Sequence, residues 1–316
     1  ALCPFHEEKT PSFHVNPQGQ YFKCFGCGVG GDVFKFVELH ERLPFMEALR
    51  RLASRANIPI DSISHNELLH AKEVRHVEEV LAASADYYHS RLTPEARSWL
   101  NKRGITDETI ERFKIGYAPG GLLEHLTAEK GFPVESCLLA GVVRKTNGGK
   151  ANDFFINRLV FPNIVRGRVV HLSGRTLADG QPKYLHLPGD IRFFFNEDAL
   201  RSPRVILAEG ILDCLPVLHA GLDCAALYGT STFKETHLSR LARAEVVYLC
   251  LAADKAGREA ALRIAGLIGE KARIVELPDG TDPGEYFLNH SPADFQRLLD
   301  SALDLITFEL RRIPED

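Results

Sequence analysis

In the stretch CPFHEEKTPSFHVNPQGQYFKCFGCG, two residues separate Cys3 from His6, a loop of seventeen follows, and two residues separate Cys24 from Cys27. Nothing else in the 316 residues restricts the local fold as tightly. Each pair, closed by a tight turn, aims two side chains at one point, and joining the pairs forces the chain into a knuckle. Three thiolates and one imidazole suit tetrahedral zinc, with His14 as an alternative nitrogen donor to His6. Gly26 and Gly28 supply the backbone freedom such a turn needs. The closed ligand set leaves no position for a substrate water, so the expected role is structural, and a unit of about 40 residues needs the metal to fold. PSFHVNP and QYFKC alternate like short strands around a turn at Asn16–Gly19. Among the interleaved Phe5, Phe13, Tyr21, Phe22, Lys23, Phe25 and Lys35, more than half of the rings are expected in the small core. Any left outside, beside lysine, are suited to stacking on single-stranded bases.

The length implies two or three units, and 45% hydrophobic with 25% charged residues excludes wholesale disorder. No apolar run approaches the roughly 20 residues of a membrane span, so no membrane partner is expected. A net charge of −4 does not announce a nucleic-acid partner, yet Arg158, Arg166, Arg168, Arg175 and Lys183 face only Asp179 over one short segment. That segment is a candidate basic strip. Cys137, Cys214, Cys224 and Cys250 lie in apolar sequence and read as reduced, buried residues. Ala1 runs directly into LCPFHEEK with no basic and apolar leader, so a cytoplasmic location is expected.

Gly31–Ala56 has helical periodicity broken at Pro44, IPIDSISHNE reads as a linker, and Ala71–Leu92 reads as a further helix. Thr93 and Thr106 are expected N-caps, with Pro94 at a first helical position. RLVFP, RVVHLSGR and KYLHL, separated by RG and ADGQP, are expected as an antiparallel meander.

The last third alternates: RVILAEG strand, ILDCLPVLHAGL helix, CAALYGT strand, TFKETHLSRLARA helix, EVVYLCLAAD strand, AGREAALRIAGLIGEK helix, ARIVELP strand. Such alternation with apolar strands predicts a parallel sheet covered on both faces, with ligands outside the carboxyl ends of its strands. Glu209 and Asp254 stand at such ends, Asp213 lies one turn beyond Glu209, and Asp282 follows the last strand. Clustered carboxylates without histidine or cysteine favour Mg2+ or Mn2+, and two such ions suit phosphoryl transfer.

CPFHEEKTPSF, CFGCG, FKIGYAP, NRLVFP, SGRT, PKYL, AEGILD, YGTST, ADKAG and LPDGTDPGEYF occur in this order. Together they resemble the bacterial replicative DNA primase family over nearly the whole chain. The resemblance implies an α+β multidomain protein: a zinc-ribbon-like N-terminal domain, a mixed α/β subdomain, then a TOPRIM parallel-sheet domain. Implied boundaries are 1–60 for zinc binding, 61–70 for a linker, 71–202 for the helical and β subdomain with the basic strip, 203–290 for TOPRIM, and 291–316 for the start of a C-terminal helical segment. It implies synthesis of short RNA primers from NTPs on single-stranded DNA, giving an RNA–DNA heteroduplex, in partnership with the replicative helicase. Cys3, His6, Cys24 and Cys27 match the zinc ligands. Glu209, Asp213, Asp254 and Asp282 match acids that hold magnesium or manganese or assist proton transfer, and Arg158, Arg175, Lys183 and Tyr184 match contacts to template or nucleotide phosphates.

Three departures are visible. The chain opens on the first zinc ligand and ends soon after Phe308, which reads as truncation without a helicase-binding tail. The third bears on activity, because the family's D-x-D is Ala252-Ala253-Asp254 here. One carboxylate is missing, so the expected enzyme is impaired. An inactive, primase-like single-stranded-DNA-binding protein is the alternative, and a TOPRIM nuclease or topoisomerase is disfavoured by the zinc knuckle and GYAP.

Overall fold

The computed structural model describes the chain except residues 59–64, 179–181, 190, 192 and 313–316, and describes only the backbone of 65–72. It divides into two compact units. Unit 1 gathers Ala1–Tyr87, Gly120–Ile156 and Ile164–Leu172; unit 2 gathers Tyr88–Pro119, Asn157–Asn163 and Ser173–Asp316. Residues 71–202 therefore contribute to both. Among the described residues, no helix is long and apolar enough to cross a membrane.

Unit 1 opens with β1 (Phe13–Asn16), antiparallel to β2 (Tyr21–Cys24), which pairs with β3 (Gly30–Gly31). The Asn16 side-chain oxygen accepts the Gly19 N–H at 2.6 Å, so the asparagine closes its own turn. Phe5, Phe13, Phe22 and Phe36 pack with centroids 5.4 to 6.1 Å apart, whereas Phe25 is 73% exposed. Most of the rings thus serve the core. Helix α1 (Val33–Glu41) is capped by Asp32, which accepts the Lys35 N–H at 2.9 Å, and Pro44 leads into α2 (Phe45–Arg55). Helix α3 (His65–Ser90) begins earlier than Ala71, so residues 65–70 of the expected linker are helical while 61–64 lie outside the described residues. The stretch HNELLHAKE has no Gly or Pro and is rich in good helix formers, which allows the helix to extend backwards. Arg75 pairs with Glu38, Lys35 with Glu79 at 3.6 Å, and Arg168 with Glu78 at 3.1 Å, tying α1 and residue 168 to α3.

The chain passes through unit 2 as α4 (Pro94–Asn101), α5 (Asp107–Arg112) and β4 (Gly116–Ala118). Thr93 and Thr106 accept N–H groups of Ala96 and Thr109, the caps expected from sequence. Gly116 has no room for a side chain, since a Cβ would lie 2.2 Å from the Tyr88 carbonyl carbon. Back in unit 1 come α6 (Leu122–Glu124), a π-turn at His125–Glu129, α7 (Val134–Leu139) and the hairpin β5 (Val143–Lys145) with β6 (Ala151–Asp153). Next, β7 (Arg158–Val165), β8 (Arg168–Thr176) and β9 (Tyr184–His186) join β4 in a sheet ordered β4-β7-β8-β9. β4 runs antiparallel to β7, and β9 to β8.

The rest of unit 2 is the predicted α/β layer. β10 (Arg204–Ala208), α8 (Ile211–His219), β11 (Cys224–Ala226), β12 (Val246–Cys250), α9 (Lys255–Ile268) and β13 (Ala272–Ile274) form a parallel sheet ordered β11-β10-β12-β13. Strand residues alternate between two cores: Ile206, Ala208, Tyr248 and Cys250 join Cys214 and Leu215, while Val205, Leu207, Val247 and Leu249 join Ala261 and Ile264. Cys137, Cys214, Cys224 and Cys250 are all buried and free. TFKETHLSRLARA forms no α-helix but 3-10 turns at Thr230–Thr232 and Glu235–Leu241. Side chains compete for the backbone there: Thr232 Oγ1 donates to the Gly229 carbonyl at 2.7 Å and the His237 ring accepts the Lys234 N–H at 3.2 Å. Helices α10 (Pro283–Asn289), α11 (Pro292–Asp300) and α12 (Leu305–Leu310) complete the unit. Chain order reverses at β10, with β11 on one side and β12 on the other, so the crevice at their carboxyl ends is the expected ligand position.

Candidate functional site

Cys3, His6, Cys24 and Cys27 bring one ligand atom each within 4.8 Å of all the others. The Cys3 and Cys27 sulfurs are 3.9 Å apart, close to the roughly 3.8 Å edge of a tetrahedron with metal–sulfur bonds of about 2.3 Å. His6 Nδ1 faces Cys24 Sγ at 3.8 Å, whereas His14 packs edge-on against Phe25. His6 is therefore the nitrogen in the cluster. Burial opposes ionisation of Cys24, but the Ser12 hydroxyl and the Cys27 N–H outweigh it and bring the thiol down to about 6. Glu8 was not anticipated. Its carboxylate accepts the N–H groups of Cys3 at 2.7 Å and Ser12 at 3.1 Å and lies 3.3 Å from His6 Nε2. It thus fixes both the loop and the imidazole, turning Nδ1 toward the sulfurs.

In unit 2, the register Ala208↔Cys250 makes the chain leave β10 and β12 at the same sheet edge. Glu209, Asp213, Ala252, Asp254 and Asp282 line one cleft there, of about 700 Å3. Each aspartate also serves a helix start. Asp254 accepts the Gly257 N–H at 2.7 Å, Asp282 that of Glu285 at 2.7 Å, and Asp213 that of Gly210 at 3.0 Å. A carboxylate has more lone pairs than one such bond uses, so each retains capacity toward the cleft. Gly284 leaves the space between two of them open: a Cβ there would sit 3.2 Å from Asp282 Oδ1 and 3.7 Å from Asp213 Oδ1. Gly257 is likewise required, because its Cβ would lie 2.0 Å from the Ala252 carbonyl oxygen. Among the described residues, only the N-terminal quartet converges as tightly as a single ion demands; the four acids are spread around the cleft.

Their electrostatics are unfavourable in isolation. Burial lifts the Glu209 carboxyl, and the charges of Asp254 and Asp282 lift it further. Asp213 is pushed up to about 7 by burial and then by Asp282, against the opposing Gly210 N–H. Crowded, desolvated oxygen donors with no nitrogen or sulfur among them suit a hard divalent cation. The raised value has a measurable consequence without metal. The folded protein holds the Asp213 proton where the unfolded chain has lost it, so this group's contribution falls as pH rises from about 3.8 to about 7 and is flat above. In chelator, Asp213→Asn is expected to flatten the stability profile over that window and to raise Tm at pH 8; an unchanged profile would refute the burial of this charge.

Of the expected basic residues, Arg175, Lys183 and Tyr184 line the same cleft. Arg158 does not. Its guanidinium donates to the carbonyls of Gly174 at 3.5 Å, Lys183 at 3.3 Å and Pro182 at 3.0 Å, bracing the turn that carries Lys183 and Tyr184. Arg166 and Arg168 belong to unit 1, so the five cations do not form one strip within one unit. Sequence reasoning missed Lys102, Arg103 and His186, which also line the cleft. Lys102 and Arg103 follow α4 and read from sequence as an ordinary basic helix end. His186 lies 2.8 Å through Nδ1 from Ser173 Oγ, and burial lowers its pKa, favouring the neutral ring.

Comparisons with known proteins agree with this layout. Residues 1–67 match the family described as CHC2 zinc finger, 85–197 the N-terminal domain of the DNA primase catalytic core, and 206–287 the Toprim-like family. The chain is 37% identical to a DNA primase of Deinococcus radiodurans, over 99% of this chain and 57% of that protein. It thus spans a little over half the length of the curated relatives it matches. The zinc-binding and RNA polymerase domains of Aquifex aeolicus primase superpose with a TM-score of 0.73 at 30% identity, over 99% of this chain and 80% of that one. A DnaG primase catalytic domain bound to ssDNA superposes with a TM-score of 0.66 at 29% identity, over 76% of this chain and 86% of that one. By these matches, together with the thiolate–imidazole quartet and the carboxylate cleft on a parallel sheet, the chain belongs to the DnaG-type bacterial primase family.

Proposed function

We propose that this chain comprises the zinc-binding and RNA-polymerase portions of a primase, which builds short RNA from NTPs on single-stranded DNA. The observation that carries this reading is one cleft with Glu209, Asp213, Asp254 and Asp282 beside Arg175 and Lys183. Acids for divalent cations and cations for phosphate are what nucleotidyl transfer requires together. The relative solved with ssDNA supports the same substrate. The proposed domains are 1–60 for zinc, 71–202 and 203–290 for the polymerase, with 61–70 between and 291–316 leading onward. A cytoplasmic site and a contact with the replicative helicase through a further segment follow the family.

Magnesium or manganese at the aspartates would neutralise phosphate charge and lower the pKa of an attacking 3′ hydroxyl. Glu209, with its raised pKa, is suited to accept that hydroxyl's proton. Lys183 and Tyr184 would hold the phosphates and template, with Arg158 bracing their turn and Arg175 beside them. Ala252 gives a second reading its basis: with one carboxylate missing, the chain binds single-stranded DNA while synthesising little. The test is RNA synthesis from NTPs and Mn2+ on a single-stranded template by this protein and by Ala252→Asp. If the substituted protein stays as inactive as its parent, the site assignment fails.

Zinc is the proposed ion of Cys3, His6, Cys24 and Cys27, with Glu8 as the group that orients His6. Removing such a partner typically costs 10–100-fold in metal affinity. Glu8→Gln, competed against a chromogenic zinc chelator, is therefore expected to release zinc at roughly tenfold lower chelator concentration. Equal retention by both proteins would deny Glu8 that role.

A further inference from the structure

The cleft of unit 2 is lined by acids, by cations and, among the described residues, by three polar rings, Tyr184, His186 and Tyr228. The charged groups suit phosphates and divalent cations, whereas the sugar of a nucleotide offers hydroxyls. The Tyr228 hydroxyl is buried and that of Tyr184 engages Arg175, which leaves His186 as the ring able to meet a sugar. Its strand sets it for that task. His186 stands two residues after Tyr184 in β9, so both side chains face one way, their rings 6.2 Å apart and nearly parallel at 5°. On β8 its direct cross-strand partner is the fully buried Ser173, whose Oγ lies 2.8 Å from Nδ1, and the Tyr228 ring meets it edge-on at 5.2 Å. The ring is thus held in place, and little rotamer freedom remains to be lost when a ligand arrives. Burial favours its neutral form, and the bond to Ser173 decides which nitrogen holds the proton. With Nδ1 turned to Ser173, the opposite nitrogen donates in one tautomer and accepts in the other; a hydroxyl answers either, a phosphate oxygen only the donor. Two strand residues advance roughly 6.6 Å, the step from phosphates at Tyr184 to the sugar.

We propose that His186, oriented by Ser173, hydrogen-bonds the 2′ hydroxyl of the incoming nucleotide and so sets a preference for ribonucleotides over deoxyribonucleotides. The inference rests on the cleft being a nucleotidyl-transfer site and deepens it, since synthesis of RNA has to read the one hydroxyl that separates an NTP from a dNTP. A half-buried ring fixed to meet that hydroxyl disfavours the analogue lacking it, because the ring is then left without its partner. The 3′ hydroxyl presents the same chemistry, so the two are separated by experiment.

ATP, 2′-deoxyATP and 3′-deoxyATP are titrated with Mn2+ into the full chain by calorimetry. The parent is expected to bind ATP roughly tenfold more tightly than 2′-deoxyATP and to distinguish 3′-deoxyATP less. His186→Phe, which keeps a ring without its nitrogens, is expected to bring the ATP to 2′-deoxyATP ratio to within about twofold of unity, chiefly by weakening ATP, while His186→Gln, with an amide near the outer nitrogen, restores most of it. Binding of Mn2+ with tripolyphosphate is read in the same variants, because a ring serving only the fold, the metal or the phosphates would alter that too. Should His186→Phe prove misfolded by circular dichroism, Ser173→Ala decides, with the ratio expected to fall at least roughly threefold as the ring loses its anchor. The proposal is overturned if the parent binds neither nucleotide or both alike, if the ratio survives His186→Phe (or, where that protein misfolds, Ser173→Ala), if the 3′ hydroxyl is the one discriminated, or if tripolyphosphate binding falls in step with ATP. A ratio lost in His186→Phe without RNA synthesis by Ala252→Asp would sink the polymerase reading alone. RNA synthesis with a ratio indifferent to residue 186 would sink this proposal alone.

Discussion

Ala252→Asp is expected to raise RNA synthesis on a single-stranded template by roughly a hundredfold or more, because metal-borne charge stabilisation is worth several kcal/mol and about 1.4 kcal/mol is tenfold in rate. Residue 252 lines the cleft with Glu209, Asp213, Asp254 and Asp282, so the added carboxylate enters the existing acidic site. It follows β12, whose pairing with β10 brings the chain out beside Glu209. The packing of the Ala252 carbonyl against Gly257 is a backbone contact that a longer side chain leaves intact. The change carries a cost. Glu209 and Asp213 already have raised pKa values, and a fifth charge raises them further in the absence of a cation. The substituted protein is thus expected to melt lower than its parent in chelator and to gain more from added Mn2+, since at a given ion concentration a ligand bound more tightly by the folded state stabilises it more. The two measurements separate causes: a larger Mn2+ shift without RNA synthesis would keep residue 252 in the metal site but refute the polymerase assignment of that site. No change in either would remove residue 252 from the metal site.

The layers of this fold are legible because burial writes itself into sequence. RVILA and VVYLC are apolar on both faces, and each supplies alternate residues to the cores on either side of the sheet. TFKETHLSRLARA misleads because its helical spacing does not reveal that Thr232 and His237 engage the backbone locally. The acids were found because each stands next to a strand end or helix start, a position readable in one dimension. The basic side was read less well. Arg103 lies just past the end of α4, where sequence spacing does not place it on Trp99, and only the fold brings it and Arg175 to the same ring. Glu8 escaped notice for the opposite reason: in HEEKT it resembles a solvated charge, while in the fold it accepts two loop N–H groups.

Removing the proposed zinc, or replacing one of its buried ligands by Cys24→Ser, is expected to unfold the N-terminal knuckle while the parallel sheet of unit 2 persists. The small core there consists of Cys3, Phe13, Phe22 and Cys24 as its buried members, with Phe5, Val29, Phe36 and Leu39 partly buried around it. Two of those four buried residues are themselves proposed zinc ligands. Without the ion, the quartet would place at least one readily ionised thiol, Cys24, in that core and lose the link between residues 3–6 and 24–27. Structural zinc binding is worth about 10–16 kcal/mol, comparable to the 5–15 kcal/mol total stability of a whole domain, so the remaining rings cannot hold the strands alone. Hydrogen exchange reads this directly. After chelation, amides of Phe13–Asn16 and Tyr21–Cys24 are expected to exchange rapidly, while those of Arg204–Ala208 and Val246–Cys250 keep their protection. Metal analysis supplies the control, with about one zinc per chain before treatment. Unchanged protection of β1 and β2 after the metal is gone would show that the aromatic cluster, not the ion, holds the knuckle together.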